Sequence, residues 1–196
     1  DLTDPALQGE ICVRASSNIY NLSLMAELIH RLGADEAEAW ASGIVANMAR
    51  NPQGGDTDQI KAIHAGQCSV AIVNHYYWVR LSQSESEADR EVAQSTQLII
   101  PSFEDGGGAH VNITGAAIAP TADDLEAAEA FIVFLASKVG QEFLTTETKE
   151  LPIHPDAALP TGADVVPAFE PSATPLNTFG ENQAEAQRRF DLAGWN

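Results

Sequence analysis

Two short apolar runs, each followed by a polar loop and then by helical spacing, most constrain how this chain can fold. "GEICVRA" at residues 9–15 and "SVAIVN" at residues 69–74 are rich in β-forming residues, which predicts two buried strands. After the first run, leucine recurs every four residues from 24 to 32 and Gly33 follows, which predicts a helix and its end. Strand, loop and helix in this order are typical of an α/β protein whose parallel-type sheet is flanked by helices.

Further elements are predicted along the rest of the chain. Apolar residues at helical spacing predict helices at residues 35–49, 57–65, 122–137 and 181–195, and residues 84–94 are a polar helix or a solvated segment. Asp56 with Gln59 and, separately, Thr121 are predicted to cap two of these helices. Strands are predicted at residues 97–101 and within the glycine-led segment 106–120, and irregular chain is predicted at residues 152–176.

All three tyrosines of the chain follow the two predicted strands. Tyr20 lies in "SSNIYN" and Tyr76 and Tyr77 lie in "VNHYYWVRL". Cys12 and Cys68 are 56 residues apart, and so are Tyr20 and Tyr76. If the strands are parallel neighbours, equal offsets bring the cysteines together at one end and the tyrosines together beyond the carboxyl ends. Open α/β sheets bind ligands at the carboxyl ends of their strands, so a binding site is expected there.

Three converging phenols suggest a cation site. Phenolate is a hard anionic oxygen donor that suits a hard cation of high charge, and three phenolates would neutralise Fe³⁺. Two other interpretations stay open at this point. The tyrosines could be packed rings with surface hydroxyls, or an aromatic wall that stacks a thiamine-like or quaternary ammonium cation.

The charge of the chain limits its partners. Ten Lys and Arg against 28 Asp and Glu give a net charge of −18, which argues against nucleic acid or an anionic membrane surface. A cation fits this charge, although solubility explains it equally well. The sequence contains no run of 18 or more apolar residues, so no membrane span is predicted. The first residues, "DLTDPALQGE", do not resemble a signal peptide.

The cysteines and the first loop suggest two further features. Cys12 and Cys68 do not form a zinc motif, which leaves a disulfide or two buried thiols, and the shared register favours the disulfide. In "RASSNIYN", the side chains of Ser16, Ser17 and Asn18 could bind an anion at a helix N-terminus, or simply cap that helix. Arg14 is a charge partner for such an anion.

The sequence resembles the periplasmic ferric-iron-binding proteins of bacterial ABC transporters, in the class that binds Fe³⁺ through three tyrosines. The resemblance rests on "RASSNIYN", "ANMARNPQGGDTDQIKAIHAGQCSVAIVNHYYWVRL", "GAHVNITGAAI" and "ENQAEAQRRFDLAGW", which follow the family order across nearly the whole chain. It implies a type 2 periplasmic-binding-protein fold with two α/β lobes around a cleft. Residues 1–103 would form the C-terminal, iron-ligand lobe, residues 104–160 would return to the N-terminal lobe, and residues 161–196 would close on the C-terminal lobe.

The resemblance also implies a ligand set. Tyr20, Tyr76 and Tyr77 would ligate Fe³⁺ from one lobe, with carbonate or phosphate near Ser16, Ser17 and Asn18. Asn74 matches a position that helps to hold this anion, and Arg14 and Arg80 are further candidates on position and charge.

The chain departs from the family at its start, because relatives begin with a substantial N-terminal lobe segment. Asp1 falls about where the family chain enters the second lobe. The chain is therefore expected to be a fragment, to be completed by a separate segment, or to be rearranged. Within this chain alone, the apolar faces of residues 104–160 would lack their usual packing partners.

The function expected is an exported binding protein, without catalysis, that delivers Fe³⁺ to an ABC-transporter permease. The alternatives are a binder of a small organic cation and a hydrolase or transferase, but the sequence has no G-x-S-x-G, HExxH or P-loop motif. His75 and His110 are weaker candidates, as acid–base groups. His75 adjoins the twin tyrosines and could support them, unless strand alternation turns it away, and packing or capping would explain His110.

Overall fold

The structure, a computed structural model, describes the backbone of residues 1–196 and every side chain except that of Asp105. Its strands are β1 (Ile11–Cys12) and β2 (Val70–Ala71). Its helices are α1 (Ile19–Leu32), α2 (Ala34–Asn47), α3 (Asp56–His64), α4 (His75–Ser82), α5 (Glu87–Gln94), α6 (Leu125–Ala136), α7 (Lys138–Thr148) and α8 (Asn177–Ala193). Short 3₁₀ turns lie at Pro5–Leu7 and Ala163–Val165.

The main core lies between β1 and the helices α1, α2 and α8. Ile11, Met25, Ile44, Phe190 and Trp195 are almost completely buried in it. Burying a large apolar side chain of this kind stabilises a fold by about 1.5–3 kcal/mol. The C-terminal helix α8 packs on both α1 and α2, so the two ends of the chain share one core.

A smaller core holds α4, the helix that carries the twin tyrosines. Ile60 of α3, Leu81 of α4 and Val92 of α5 are buried together, and Trp78 packs against them. The indole N–H of Trp78 donates to Thr96 Oγ1 at 2.9 Å. These contacts fix α4 beside the end of the sheet.

The predicted helices agree with the structure, but two predicted caps were wrong. Gly55 is the N-cap of α3, and its N–H donates to the Asp58 carboxylate at 2.7 Å, whereas Asp56 is already inside the helix. Asp124, not Thr121, caps α6, because its carboxylate accepts from the N–H of Ala127 and lies at the positive end of the helix dipole. Helix α7 was not predicted.

The strands predicted at residues 97–101 and 106–120 do not form within the described part of the chain. The one pairing in this region is an isolated parallel bridge between Ala109 and Pro171. Residues 112–117 are exposed. A strand needs a neighbour to satisfy its backbone N–H and C=O groups, and this segment has none beside it.

The strand register also differs from the prediction. β1 and β2 are parallel, but Cys12 lies opposite Ala71 rather than opposite Cys68, which precedes β2. The sulfur atoms of Cys12 and Cys68 are nevertheless bonded, and their Cα atoms are 6.0 Å apart. The disulfide therefore joins the end of β1 to the residue that leads into β2.

Reducing the disulfide should destabilise the fold substantially. The bridge closes a loop across a sequence separation of 56 residues, and the loop-entropy relation gives about 4 kcal/mol for such a loop. We expect urea unfolding of the protein with and without reductant to show a loss of this order. A Cys12→Ala and Cys68→Ala double variant should match the reduced protein and should be insensitive to reductant.

Helices α6 and α7 pack on each other and leave a broad apolar face exposed. The side chains on it are between 46% and 70% exposed: Leu125, Phe131, Val133, Phe134, Val139 and Phe143. An uncovered apolar face was expected for residues 104–160, and it is larger than single scattered surface residues would give. No helix among the described residues has the length and apolar character needed to cross a bilayer.

Candidate metal centre

The structure brings the three phenol groups together. The hydroxyl of Tyr76 donates to the hydroxyl of Tyr20 at 3.0 Å, and the hydroxyls of Tyr20 and Tyr77 are 3.4 Å apart. Neighbouring oxygens on a small hard cation, with metal–oxygen bonds of about 2 Å, are about 3 Å apart in octahedral geometry. The spacing of these oxygens therefore fits shared coordination of one cation.

Two helix N-termini position these tyrosines. Tyr20 is the second residue of α1, and Asn18 caps this helix by accepting from the N–H of Tyr20 at 3.0 Å. Tyr76 and Tyr77 lie in the first turn of α4, which begins after Asn74. Because a helix fixes the direction of each side chain, the phenols are held more firmly than they would be on a loop.

Both twin tyrosines are held in the neutral form in the absence of a cation. Burial raises the pKa of Tyr76 well above its ordinary value, and hydrogen bonds to Tyr20 and Tyr77 raise it further. Burial also raises the pKa of Tyr77, with a further contribution from its contact with Tyr20. A cation that binds here must therefore displace the phenolic protons.

Two arginines lie against the aromatic rings. The Arg80 guanidinium is 5.2 Å from the ring centre of Tyr76 and 5.4 Å from that of Tyr77, and Arg14 is 5.2 Å from the ring centre of Tyr20. All three rings already have an internal cation beside them. This arrangement disfavours the stacked organic cation considered from the sequence, because an arginine already lies beside each ring.

The loop before α1 is used mostly for structure. Ser16 is buried, and its hydroxyl accepts from the Gln187 side chain at 3.3 Å, while Ser17 is exposed. Asn18 uses its side-chain oxygen as the cap of α1. Of the residues predicted to bind an anion in this loop, Arg14 is the one that lies against a phenol.

A buried carboxylate that the sequence analysis assigned only to helix capping lies beside the site. Asp56 is 1% exposed and forms an ion pair with Arg14 at 2.6 Å. It also accepts from the backbone N–H of Asn74 at 2.7 Å. The missed signal in the sequence is Asp58, which follows Gly55 by three residues and completes its cap, so that Asp56 is not needed for capping.

His75 lies next to the tyrosines on α4, not on a strand, so the alternation argument for it was wrong. Its ring packs edge-on against Tyr76 with the centroids 5.7 Å apart. Burial lowers its pKa, and its Nε2 is buried without a hydrogen-bond partner in the part of the chain described. His75 therefore supports the Tyr76 ring from behind.

A second buried carboxylate, Glu27 of α1, organises a polar cluster behind the site. One oxygen pairs with His110, and the other accepts from Arg31 at 2.9 Å, from Thr174 at 3.0 Å and from Ser172. Burial alone would raise the pKa of Glu27, but hydrogen bonds from His110, Ser172 and Arg31 outweigh it and lower the pKa to about 2. Through these contacts, the segments that contain His110 and Ser172 are held against the helix that carries Tyr20.

The sequence profile of the bacterial extracellular solute-binding protein family matches residues 1–185. The chain belongs to this family. It is similar to iron uptake protein A1 of Synechocystis, with 37% identity over 195 residues that cover 100% of this chain and 54% of the relative. Iron uptake protein A2 of the same organism is 40% identical over 197 residues, covering 99% and 56%. The chain thus spans about half the length of the curated relatives it matches.

Solved structures give the same result. The chain superposes on Trichodesmium FutA, solved with iron and citrate ligands, with a TM-score of 0.95 and 36% identity, covering 100% of this chain and 62% of that one. Apo FutA2 of Synechocystis gives a TM-score of 0.94 and 38% identity, with the same coverage. These comparisons confirm the predicted resemblance and the type 2 periplasmic-binding-protein fold for the part that this chain covers.

Proposed function

We propose that this chain carries the ferric-ion site of an iron-transport binding protein, with Tyr20, Tyr76 and Tyr77 as its ligands. The observation that supports this proposal best is the convergence of three phenol oxygens from two helix N-termini. Three phenolates match the charge and hardness of Fe³⁺. The relatives agree with this, since they include a major ferric iron-binding protein of Neisseria meningitidis and the iron-bound Trichodesmium FutA.

The three phenols supply half of an octahedral sphere. The remaining positions would be filled by water, by a small anion such as carbonate or phosphate, or by groups from a facing lobe. We place residues 1–103 and 161–196 in the iron-ligand lobe and residues 104–160 largely in the facing lobe. The exposed apolar face of α6 and α7 supports this division, because it needs a covering partner.

In transport, the protein would act as the carrier that brings Fe³⁺ to the permease. A periplasmic protein of this kind captures Fe³⁺ between its lobes, docks on an ABC-transporter permease and opens to release the ion. No chemical bond in the cargo is made or broken, so no catalytic residue is required. Capture and release depend on the phenolic protons and on lobe closure.

Ferric loading should therefore release protons and develop colour. Iron-free protein titrated with ferric nitrilotriacetate should gain the broad visible band of tyrosinate-to-iron charge transfer. At constant pH, the phenols should release about three protons per ion, of which the freed nitrilotriacetate takes up about one near neutral pH. Because the free phenols are protonated and the bound ones are not, affinity should fall as the pH falls.

Gallium provides the matched control for this titration. Ga³⁺ has the same charge and takes the same oxygen donors, but it cannot give the charge-transfer band. It should release the same protons without colour. Binding of iron with neither proton release nor a visible band would contradict the tyrosine site. Saturable binding of a thiamine-like cation would support a site for a small organic cation instead.

A further inference from the structure

The two halves of the candidate metal centre are built on separate cores. Helix α1, which carries Tyr20, packs in the main core, whereas α4, which carries Tyr76 and Tyr77, packs in the smaller core. The two helices do not pack extensively against each other. The spacing of the phenol oxygens therefore depends on the short β1–β2 pair and on side-chain links between the two helices.

A segment of chain from another part of the sequence, residues 107–112, lies along one face of α1. It contacts three α1 side chains that are spaced four residues apart and therefore share a helix face: Arg31, Glu27 and Ser23. Arg31 donates to the carbonyl oxygen of Gly107 at 2.8 Å, and the other two are hydrogen-bonded to His110. The segment thus runs towards the N-terminal end of α1, where Tyr20 lies.

Asn112, the last residue of this segment, bridges the two helices that carry the tyrosines. Its side-chain oxygen accepts from the Ser23 hydroxyl on α1, and its side-chain N–H donates to the side-chain oxygen of Asn74 at 3.2 Å. Ser23 lies three residues after Tyr20, and Asn74 lies two residues before Tyr76. Among the described hydrogen bonds, and apart from those between the phenols, no other side chain joins α1 to the start of α4.

We propose that Asn112 is a positioning residue of the ferric site, which sets the distance between Tyr20 and the twin tyrosines through Ser23 and Asn74. This inference rests on the proposed ferric function and deepens it. The two ends of the amide are not interchangeable, because its oxygen only accepts and its NH₂ group only donates. A carboxylate of the same shape would keep the bond to Ser23 and lose the bond to Asn74.

The bridge matters most when the cation is bound. In the free protein, the phenols hold one another through hydrogen bonds, with the Tyr20 hydroxyl between the other two. These bonds need phenolic protons, which a bound cation displaces. The Asn112 bridge has no proton that the cation removes, so it still fixes the spacing of the oxygens in the loaded state.

Asn112 also links this spacing to the chain that follows it. The 107–112 segment is held on α1, whereas residues 112–117 are exposed and lead into the part that we place largely in the facing lobe. Movement of that part away from α1 would pull on Asn112 first. Lobe opening would then loosen the spacing of the phenols and favour release of the ion.

Asn112→Ala, prepared in the protein with any flanking sequence retained, removes both arms of the bridge. It should bind Fe³⁺ about tenfold more weakly than the wild type in competition with a ferric chelator, since loss of an outer-shell partner typically costs about 10–100-fold in metal affinity. Asn177→Ala is the matched control, because it makes the same change at an exposed amide that is hydrogen-bonded to Glu181 on α8. It should keep the wild-type affinity.

A double-variant cycle distinguishes a bridge from two separate local effects. Ser23→Ala removes the α1 arm, so this variant should also weaken ferric binding. In the Asn112→Ala background, Ser23→Ala should change the affinity by less than about twofold, because the arm that it removes is already absent. Fully additive losses would show that Ser23 and Asn112 act independently and would overturn the proposal.

Fluorine NMR of iron-free protein labelled with meta-fluorotyrosine detects the bridge without any metal. The signals of the three tyrosines are assigned from single Tyr→Phe variants. Asn112→Asp keeps the Ser23 arm and loses the Asn74 arm, so it should shift or broaden the signals of Tyr76 and Tyr77 more than that of Tyr20. Ser23→Ala should show the reverse order.

The two measurements separate this inference from the ferric function. Fluorine spectra of Asn112→Ala and Asn112→Asp that match the wild type, in proteins with wild-type urea midpoints, would overturn the bridging role even if Fe³⁺ binds. A wild-type protein that binds no Fe³⁺ would instead contradict the proposed function, and the fluorine spectra would still decide whether Asn112 holds the two helices together.

Discussion

Replacing Tyr76 by phenylalanine should abolish the visible ferric band and lower the affinity for Fe³⁺ by about 100-fold or more. Loss of an outer-shell partner alone typically costs about 10–100-fold in metal affinity, and Tyr76 is proposed as a direct ligand. The ring itself should stay in place. Its centroid lies 4.5 Å from that of Tyr77, and this packing does not involve the hydroxyl.

Trp78→Phe is the control for this variant. Trp78 lies on the same helix, but its N–H bonds to Thr96 and its ring packs on the small core. This variant should keep both colour and affinity. Metal analysis, visible absorption and competition with a ferric chelator measure both variants. If Tyr76→Phe keeps colour and affinity while remaining folded, the phenol of Tyr76 is not a ligand.

The convergence of the tyrosines followed from sequence spacing even though the assumed register was wrong. The structure shifts the strands by three residues, since Cys12 lies opposite Ala71 and not opposite Cys68. The loop after β1 covers residues 13–18, whereas the loop after β2 covers residues 72–74 and is three residues shorter. The three-residue shift in register and the three-residue difference in loop length cancel. Ile19 and His75 therefore begin their helices at equivalent positions relative to the paired strands.

The strand predictions failed for a different physical reason. A β-rich segment such as residues 109–118 forms a strand only when a partner strand satisfies its backbone groups, and a sequence pattern does not supply the partner. Helices satisfy their own backbone groups. This is why α1, α2 and α8 could be located from spacing, whereas most of the predicted sheet could not.

The supporting carboxylates depend on contacts that no local pattern encodes. Glu27 is an ordinary helix residue in the sequence, and its partners His110 and Ser172 are 83 and 145 residues away. Asp56 could be placed at a helix start, but its partners Arg14 and Asn74 lie on other segments. The proposed ligands share a distinctive side chain, whereas the groups that hold them become recognisable only when the fold brings them together.

Glu27→Gln should be the most destabilising single change in the polar cluster, at about 3 kcal/mol or more. Removing one member of a buried ion pair typically costs about 3–5 kcal/mol, because the remaining charge is left without its partner. Here the change would leave Arg31 and His110 facing a neutral amide. Glu36→Gln is the matched control, since Glu36 is exposed on α2 and its replacement should change stability by less than about 0.5 kcal/mol.

The same residue should give the wild-type fold a defined acid sensitivity. The Glu27 pKa is lowered from its ordinary 4.5 to about 2, so the charged form stabilises the folded state. This contribution is complete above about pH 4.5 and is lost as the pH falls toward 2, and a shift of this size corresponds to about 3 kcal/mol. Urea unfolding across this range should show stability falling in the wild type and in Glu36→Gln, and falling less in Glu27→Gln. Equal pH dependence in all three proteins would contradict the assignment, because the acid sensitivity would then arise from other carboxylates.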